Sequence, residues 1–504
     1  MRACRLAVLV LLFISSAVGH VGSPNVYFEG GAGPYHLFVT VIPPAMVPGI
    51  AEVQVRVTSG VVTSISVTPV YVNGKDQGLP PTPDSMQSAA DPQWFTGKVW
   101  LMESGSWEVR VEVSGSQGIG KLAVPVPAFA RRILPMQRAL GSLLFVLMLA
   151  LAAGIISIAG AAAREGGLWP AAIPSPQNRR LGRIAMLVAG VLVGTILVLG
   201  NWWWNAQAAD LKHNMLYSAP PLQVSFDGVD QLTLRMAEDF WHKSRKDQWS
   251  MSLIPDHGHL MHAFLLRVPA MDRFYHLHPR QVAGFDFVDD LPPLPAGHYQ
   301  VFADIVRSSG FPDTMVSEID LPDISGKPLA GDDSETVAPP FSNVAGKSSS
   351  ETFPDGDRMV WEHDASPLVA NRLLLLHYRL EGPDGKPATD VEPFLGMAGH
   401  MEIVRSDRSV FAHIHPDGTV SMAALSLADQ SLNASNPGKA SPAATAAGDS
   451  SMSMSMSMPG AGGEPLPATV TFPYGFPKPG AYRLFVQMKH SGHIVTGVFD
   501  CDVQ

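Results

Sequence analysis

Two stretches in the middle of the chain constrain the fold more than anything else: residues 139–163 carry no charge, and residues 184–204 end in Asn201 and the trio Trp202, Trp203, Trp204. A bilayer core is crossed by about 20 apolar residues in a helix, and tryptophan collects at the membrane interface. Both stretches are therefore expected to be transmembrane helices. The connection, residues 164–183, holds Arg164, Arg179, Arg180 and Arg183 against Glu165 alone, which makes it cytoplasmic by the positive-inside rule. Residues 1–19 read as a secretory signal, with Arg2 and Arg5 before a short apolar core and Ala17-Val18-Gly19 at the cleavage site, so the mature chain is expected to begin at His20. An exported start and two spans leave both large segments on the same side, the periplasmic face of a cell inner membrane. Neither span contains an ionisable group, which favours a hairpin anchor over a transporter.

The segments outside the membrane read as β structure. Gly 46 and Pro 43 in 504 residues are too many for a helical bundle. The net charge of −10, with no basic run, gives no footprint for nucleic acid. Residues 20–128 alternate apolar and charged positions, as in Glu52-Val53-Gln54-Val55-Arg56-Val57, and are expected to form a sandwich of about 100 residues. Beyond residue 205 the chain repeats itself. Phe274-Tyr275-His276-Leu277-His278-Pro279 corresponds to Phe411-Ala412-His413-Ile414-His415-Pro416, each preceded by a strand with His and Met and followed by a Gly-x-Tyr-x-x-Phe strand. The expected fold is all-β: three Ig-like β-sandwich domains, the last two a tandem duplication (210–325 and 351–504), plus two transmembrane helices. Residues 326–350 read as a mobile linker, and residues 428–467 as a disordered insertion in the second copy.

Of 17 histidines and 22 methionines, 15 of each lie after residue 204. In a strand, residues i and i+2 share a face, so His276 with His278, and His413 with His415, place two imidazoles about 7 Å apart, where a metal can bridge them. The proline after each pair ends ladder pairing, opening the sheet end to a third ligand, His262 or His400. His490 and His493 join the candidates, as does Met401. Imidazole serves zinc, copper and nickel alike. Thioethers select copper(I), and Met261, Met397, Met401, Met488 and the run Met452, Met454, Met456, Met458 supply them. Copper is thus the expected ion, with the Ser-Met run as a capture arm. A freed His20 amine and imidazole, completed by His36, would add a copper(II) site by analogy with a histidine brace. Cys501 is the only thiol beyond the leader, which excludes internal disulfides and cysteine-based zinc sites.

By the Phe-x-His-x-His-Pro and Pro-x-Gly-x-Tyr-x-x-Phe elements, the C-terminal copies resemble the YtkA-like and related Ig-like modules of bacterial exported proteins. The N-terminal segment resembles the periplasmic copper-resistance sandwiches that begin with a ligand histidine. The resemblance implies copper handling or respiratory assembly. Copper chaperones with a His-Met motif are similar too, but their HxM ending is absent after His400-Met401. Gly346-Lys347-Ser348 lacks the glycine a phosphate loop needs, and HExxH, GxSxG, GxGxxG and the cupin glutamate are missing. The sequence reading is therefore a binding protein, not an enzyme: a membrane-anchored extracytoplasmic metal-binding protein for copper sequestration, sensing or transfer. The rival is an adhesion or assembly module, scaffolding a membrane or envelope complex with structural histidines.

Overall fold

The period-2 pattern of the N-terminal segment becomes a pair of antiparallel sheets. A computed structural model describes residues 24–72, 83–88, 91–169, 171–237, 252–342, 349–364, 366–434 and 466–504. In the strand Gly49–Ser59, Ala51, Val53, Val55 and Val57 are buried while Glu52 and Arg56 face out. That strand lies between Tyr35–Ile42 and Trp94–Leu101 in one sheet, and a second sheet is built on Val62–Tyr71, Gly105–Gly115 and Gly118–Ala128. Their inner faces share one core.

Residues 129–218 form a separate unit of two helices, α1 (Arg138–Glu165) and α2 (Pro176–Met215). Both are long and apolar enough to cross a membrane, with mean hydropathies of 2.6 and 2.3 over their most apolar windows. The expected loop 164–183 is shorter than its charges implied. Ser175 caps α2 by accepting a hydrogen bond from the Asn178 amide, and Pro176 occupies the first helical position, so Arg179, Arg180 and Arg183 are already helical. Charge marks the edge of an apolar span, whereas the cap marks the start of the helix. Glycines let the helices approach closely: a Cβ on Gly182 would lie 3.0 Å from the Gly160 carbonyl oxygen.

The two C-terminal copies follow one plan. In the first, a sheet of Leu222–Phe226, Gln231–Met236, Asp286–Asp290 and Arg280–Ala283 faces a second sheet centred on Gly297–Arg307, His262–Val268 and Arg273–Leu277. In the second, a sheet containing Arg358–Glu362, Leu374–Glu381 and Thr469–Tyr474 faces one centred on Gly480–His490, His400–Arg405 and Phe411–Ile414. Register makes the equivalence exact at residue level. Phe264 stands opposite His276 and Phe302, as Glu402 stands opposite His413 and Phe485. His262 pairs with Asp304 as His400 pairs with Gln487.

The histidine-bearing sheets of the two copies pack on each other. Phe274 stacks on Phe485 at 4.2 Å between centroids, and Phe302 on Phe411 at 4.1 Å, with interplanar angles of 11° and 10°. Since Phe274 is the counterpart of Phe411, and Phe302 of Phe485, one stack is the other seen through a pseudo-two-fold axis. The duplication has built an isologous interface inside a single chain.

Two expected flexible segments contain regular structure. Ser334–Val337, inside the linker 326–350, pairs with Arg273–Leu277 and buries Ser334 and Thr336. Its polar composition hid an alternating strand. Helix α3 (Met422–Ala434) includes the first residues of the expected insertion 428–467, with Met422, Ala423, Ala424, Leu425 and Ala428 buried, several of them in the N-terminal core. Small residues that look like a disordered tract suffice for a helix lying against the strand Gly118–Ala128. The Ser-Met run of residues 451–458 and His20 lie outside the described residues.

Candidate metal centre

Eight histidines meet where the two copies join. Six come from the expected set: His262, His276 and His278 from the first copy, His400, His413 and His415 from the second. His257 and His259 come from the tight turn before the strand His262–Val268. That turn, Asp256-His257-Gly258-His259, is closed by reciprocal backbone hydrogen bonds, and its counterpart is Phe394-Leu395-Gly396-Met397. His257 and Leu395 both have positive φ, 52° and 50°, so the backbone is common to both copies and only the first supplies imidazoles.

Two groups of three place a ring nitrogen of each member within 4.8 Å of the others: His262, His276 and His278, and His257, His400 and His415. The first belongs to one copy, while the second takes His257 from the first copy and the rest from the second. His413 lies against both groups, with ring centroids 5.5 Å from His262 and 5.4 Å from His400.

Hydrogen bonds fix the tautomers. His257 Nδ1 is 2.7 Å from the Leu395 carbonyl oxygen and His415 Nδ1 is 3.0 Å from that of Val420. A carbonyl only accepts, so both Nδ1 atoms donate, and in neutral rings both Nε2 atoms are bare lone pairs. Those Nε2 atoms face each other at 3.2 Å. The other group repeats the arrangement. His262 Nε2 donates to the Asp256 carbonyl (3.1 Å), His276 Nδ1 donates to Gln487 Oε1 (2.9 Å), and His262 Nδ1 then faces His276 Nε2 at 3.2 Å. Gln487 is oriented by its Nε2, which donates to Ser334. His278 donates from Nδ1 to Asp333 and leaves Nε2 buried without a partner, and His413 Nε2 and both nitrogens of His400 are likewise buried and unpartnered.

Protonating the imidazoles does not relieve these contacts, because burial opposes the charge. It holds His257, His262, His276, His400 and His413 below the ordinary histidine range, with neighbouring imidazoles adding to the effect, and pushes His415 down to about 4. Glu402 is fully buried 3.7 Å from His276 Nδ1, yet this is no ion pair: burial raises the Glu402 carboxyl well above its usual range while His276 stays neutral. Asp304, 3.5 Å from His413 Nδ1, is pushed up to about 7 by burial. Two nitrogens bound to one ion at about 2.0–2.1 Å in tetrahedral geometry sit roughly 3.3 Å apart. The two 3.2 Å contacts match that bite.

Other sequence candidates lie elsewhere. Met401 is fully buried in the second-copy core, on the strand face opposite His400, because adjacent strand residues point to opposite sides. Met261, Met397 and Met488 are core residues too. Among the described residues, these four thioethers are packing groups. His490 lies 3.2 Å from Asp390 and 3.4 Å from Asp357, across a hairpin from the exposed His493. His36 is half exposed and hydrogen-bonds Thr58 at 3.0 Å. Sequence reasoning missed His257 and His259, though the run His257-x-His259-x-x-His262 carried the signal. It also missed the buried carboxyls Asp304 and Glu402, which the pattern of an apolar strand conceals.

Residues 352–504 match a family described as a domain of unknown function, DUF8832. No curated protein matches. Among solved structures, an ICAM-5 ectodomain fragment aligns with 9% identity over 94% of this chain and 77% of its own, at a TM-score of 0.14. An endo-fucoidan hydrolase from glycoside hydrolase family 107 aligns with 9% identity over 92% of this chain and 43% of its own, at 0.13.

Proposed function

We propose that this chain is a membrane-anchored, extracytoplasmic metal-binding protein that holds copper in the buried histidine centre between its two C-terminal copies. The three pairs of sheets are read as Ig-like sandwiches, and α1 and α2 as the anchor in the inner membrane. The observation that carries the reading is the pair of lone-pair contacts, His257 with His415 and His262 with His276. Each is repulsive between neutral rings and becomes attractive with a cation between them. Counting His278, His400 and His413, seven imidazoles of the centre offer a nitrogen that no protein group satisfies. At about 1–3 kcal/mol each, that cost is on the order of 10 kcal/mol, comparable with the net stability of a whole domain. A bound ion offsets it.

An all-nitrogen donor set supports copper by a different argument from thioether softness: affinity along the first-row divalent ions peaks at copper(II). Carbonyl and amide partners on the far ring nitrogens are the outer contacts that orient ligand imidazoles. Near-complete burial of His276 and His400 slows exchange, which favours sequestration over rapid transfer. The test uses the full chain in detergent micelles, stripped with a chelator and titrated with copper(II) or zinc(II). Stoichiometric copper should be retained through gel filtration, and His262→Ala/His400→Ala should lose it. Equal copper retention by that variant overturns the reading and returns the scaffold role, with structural histidines, to first place.

A further inference from the structure

We infer that the centre is dinuclear, with two ions close enough to share one small bridging anion of the hydroxide or azide class. This rests on the copper reading above and adds nuclearity and a ligand. Three imidazoles fill three positions of a four-coordinate ion and leave one open. Among the described residues there are two such sets, His262-His276-His278 and His257-His400-His415, each containing one contact at metal-bite distance.

The sets adjoin. The His257 and His262 rings are 6.0 Å apart, and His413 touches both: its centroid is 5.5 and 5.7 Å from His262 and His276, and 5.4 and 4.7 Å from His400 and His415. Sets that share ring contacts can bring their ions toward the spacing of two-metal sites, about 3.5–4 Å, where one oxygen or nitrogen atom bridges both. Independent of the imidazoles, three carboxyl oxygens in the centre are buried and unpartnered: both of Glu402 and Oδ1 of Asp304. Glu402 lies 3.7 Å from His276 Nδ1, the nitrogen turned away from the His262 contact, and Asp304 lies 3.5 Å from His413 Nδ1; the unpartnered Nε2 of His413 belongs to the ring that adjoins both sets.

The asymmetry between the copies makes the test specific. The second set needs His257, which the second copy lacks because Leu395 stands there. Full-length chain in detergent, loaded with copper(II) to saturation and washed, should hold two ions in the histidine centre while its integrated EPR intensity falls below half the copper present, because bridged copper(II) spins couple. Azide should add at one equivalent per pair with a new charge-transfer band. His257→Asn, chosen because asparagine tolerates positive φ, should hold one ion with one full spin, which separates coupling from reduction to silent copper(I). His400→Leu gives the same readout should the first variant fail to accumulate. Two ions with two full spins would overturn the bridge and leave the copper reading standing, as would a single ion per centre. No bound copper would overturn both.

Discussion

Replacing His400 with leucine is expected to stabilise the metal-free protein. The His400 ring is fully buried, and neither nitrogen has a hydrogen-bond partner. One buried unsatisfied polar atom costs about 1–3 kcal/mol, so removing a donor and an acceptor relieves about 2–6 kcal/mol, about 4 at the middle of that range. Leucine is similar in volume, and its imperfect fit returns up to about 1.5 kcal/mol. The net gain is about 2 kcal/mol, or about 4–8 °C in Tm for a unit of 150–250 residues. With copper the order should reverse. At a free concentration a thousand times Kd, the parent gains about 4 kcal/mol from ligand linkage, and the variant, short of one ligand, gains far less. The assay is circular dichroism melting of the full chain in detergent, with chelator and with excess copper(II). A metal-free variant melting below the metal-free parent would refute the reasoning, since the ring would then be satisfied in the apo fold.

Three further outcomes follow from the same geometry. With His415 held at about 4 in the folded state against about 6.5 unfolded, the unfolded chain takes up the proton first on acidification. The His415 contribution to metal-free stability should therefore be flat above pH ~6.5 and fall between there and pH ~4, by about 2 kcal/mol between pH 7 and 5, while the raised carboxyls of Asp304 and Glu402 act in the opposite direction; denaturant titrations in which the parent and His415→Leu differ by the same amount at pH 7 and pH 5 contradict it. Met401→Leu should leave copper stoichiometry unchanged and cost less than about 1.5 kcal/mol, because Met401 faces a core and not the histidines; altered metal content by elemental analysis would count against that placement. Gly418→Ala should loosen the N-terminal sheets from the second copy, because its Cβ would sit 1.9 Å from the Tyr27 carbonyl oxygen at a φ of +128°; protease sensitivity near residue 27 identical to the parent would contradict this.

Much of this was legible in the residues. Alternation in 52–57 marked an N-terminal strand, charge-free runs marked α1 and α2, and the repeated Phe-x-His-x-His-Pro marked two equivalent strands. Period 2 also tells which side chains share a face, but not what that face packs against. The His276–His278 and His413–His415 pairs therefore read as two separate sites, whereas the pseudo-two-fold interface merges them into one centre. The rule that joined His276 to His278 also separates His400 from Met401, and sequence adjacency obscured it. His257 was hidden for another reason: it sits in a positive-φ turn, outside any strand pattern, and reaches across to His415 in the other copy. Such non-local pairing is set by sheet packing, which no local pattern encodes.

The most direct test of the histidine centre is metal analysis and X-ray absorption on the full chain isolated from its own membrane without added metal. The expected result is stoichiometric copper coordinated by nitrogen or oxygen only, and loss of that coordination in His262→Ala/His400→Ala. A metal-free protein, or a shell dominated by sulfur, would contradict it.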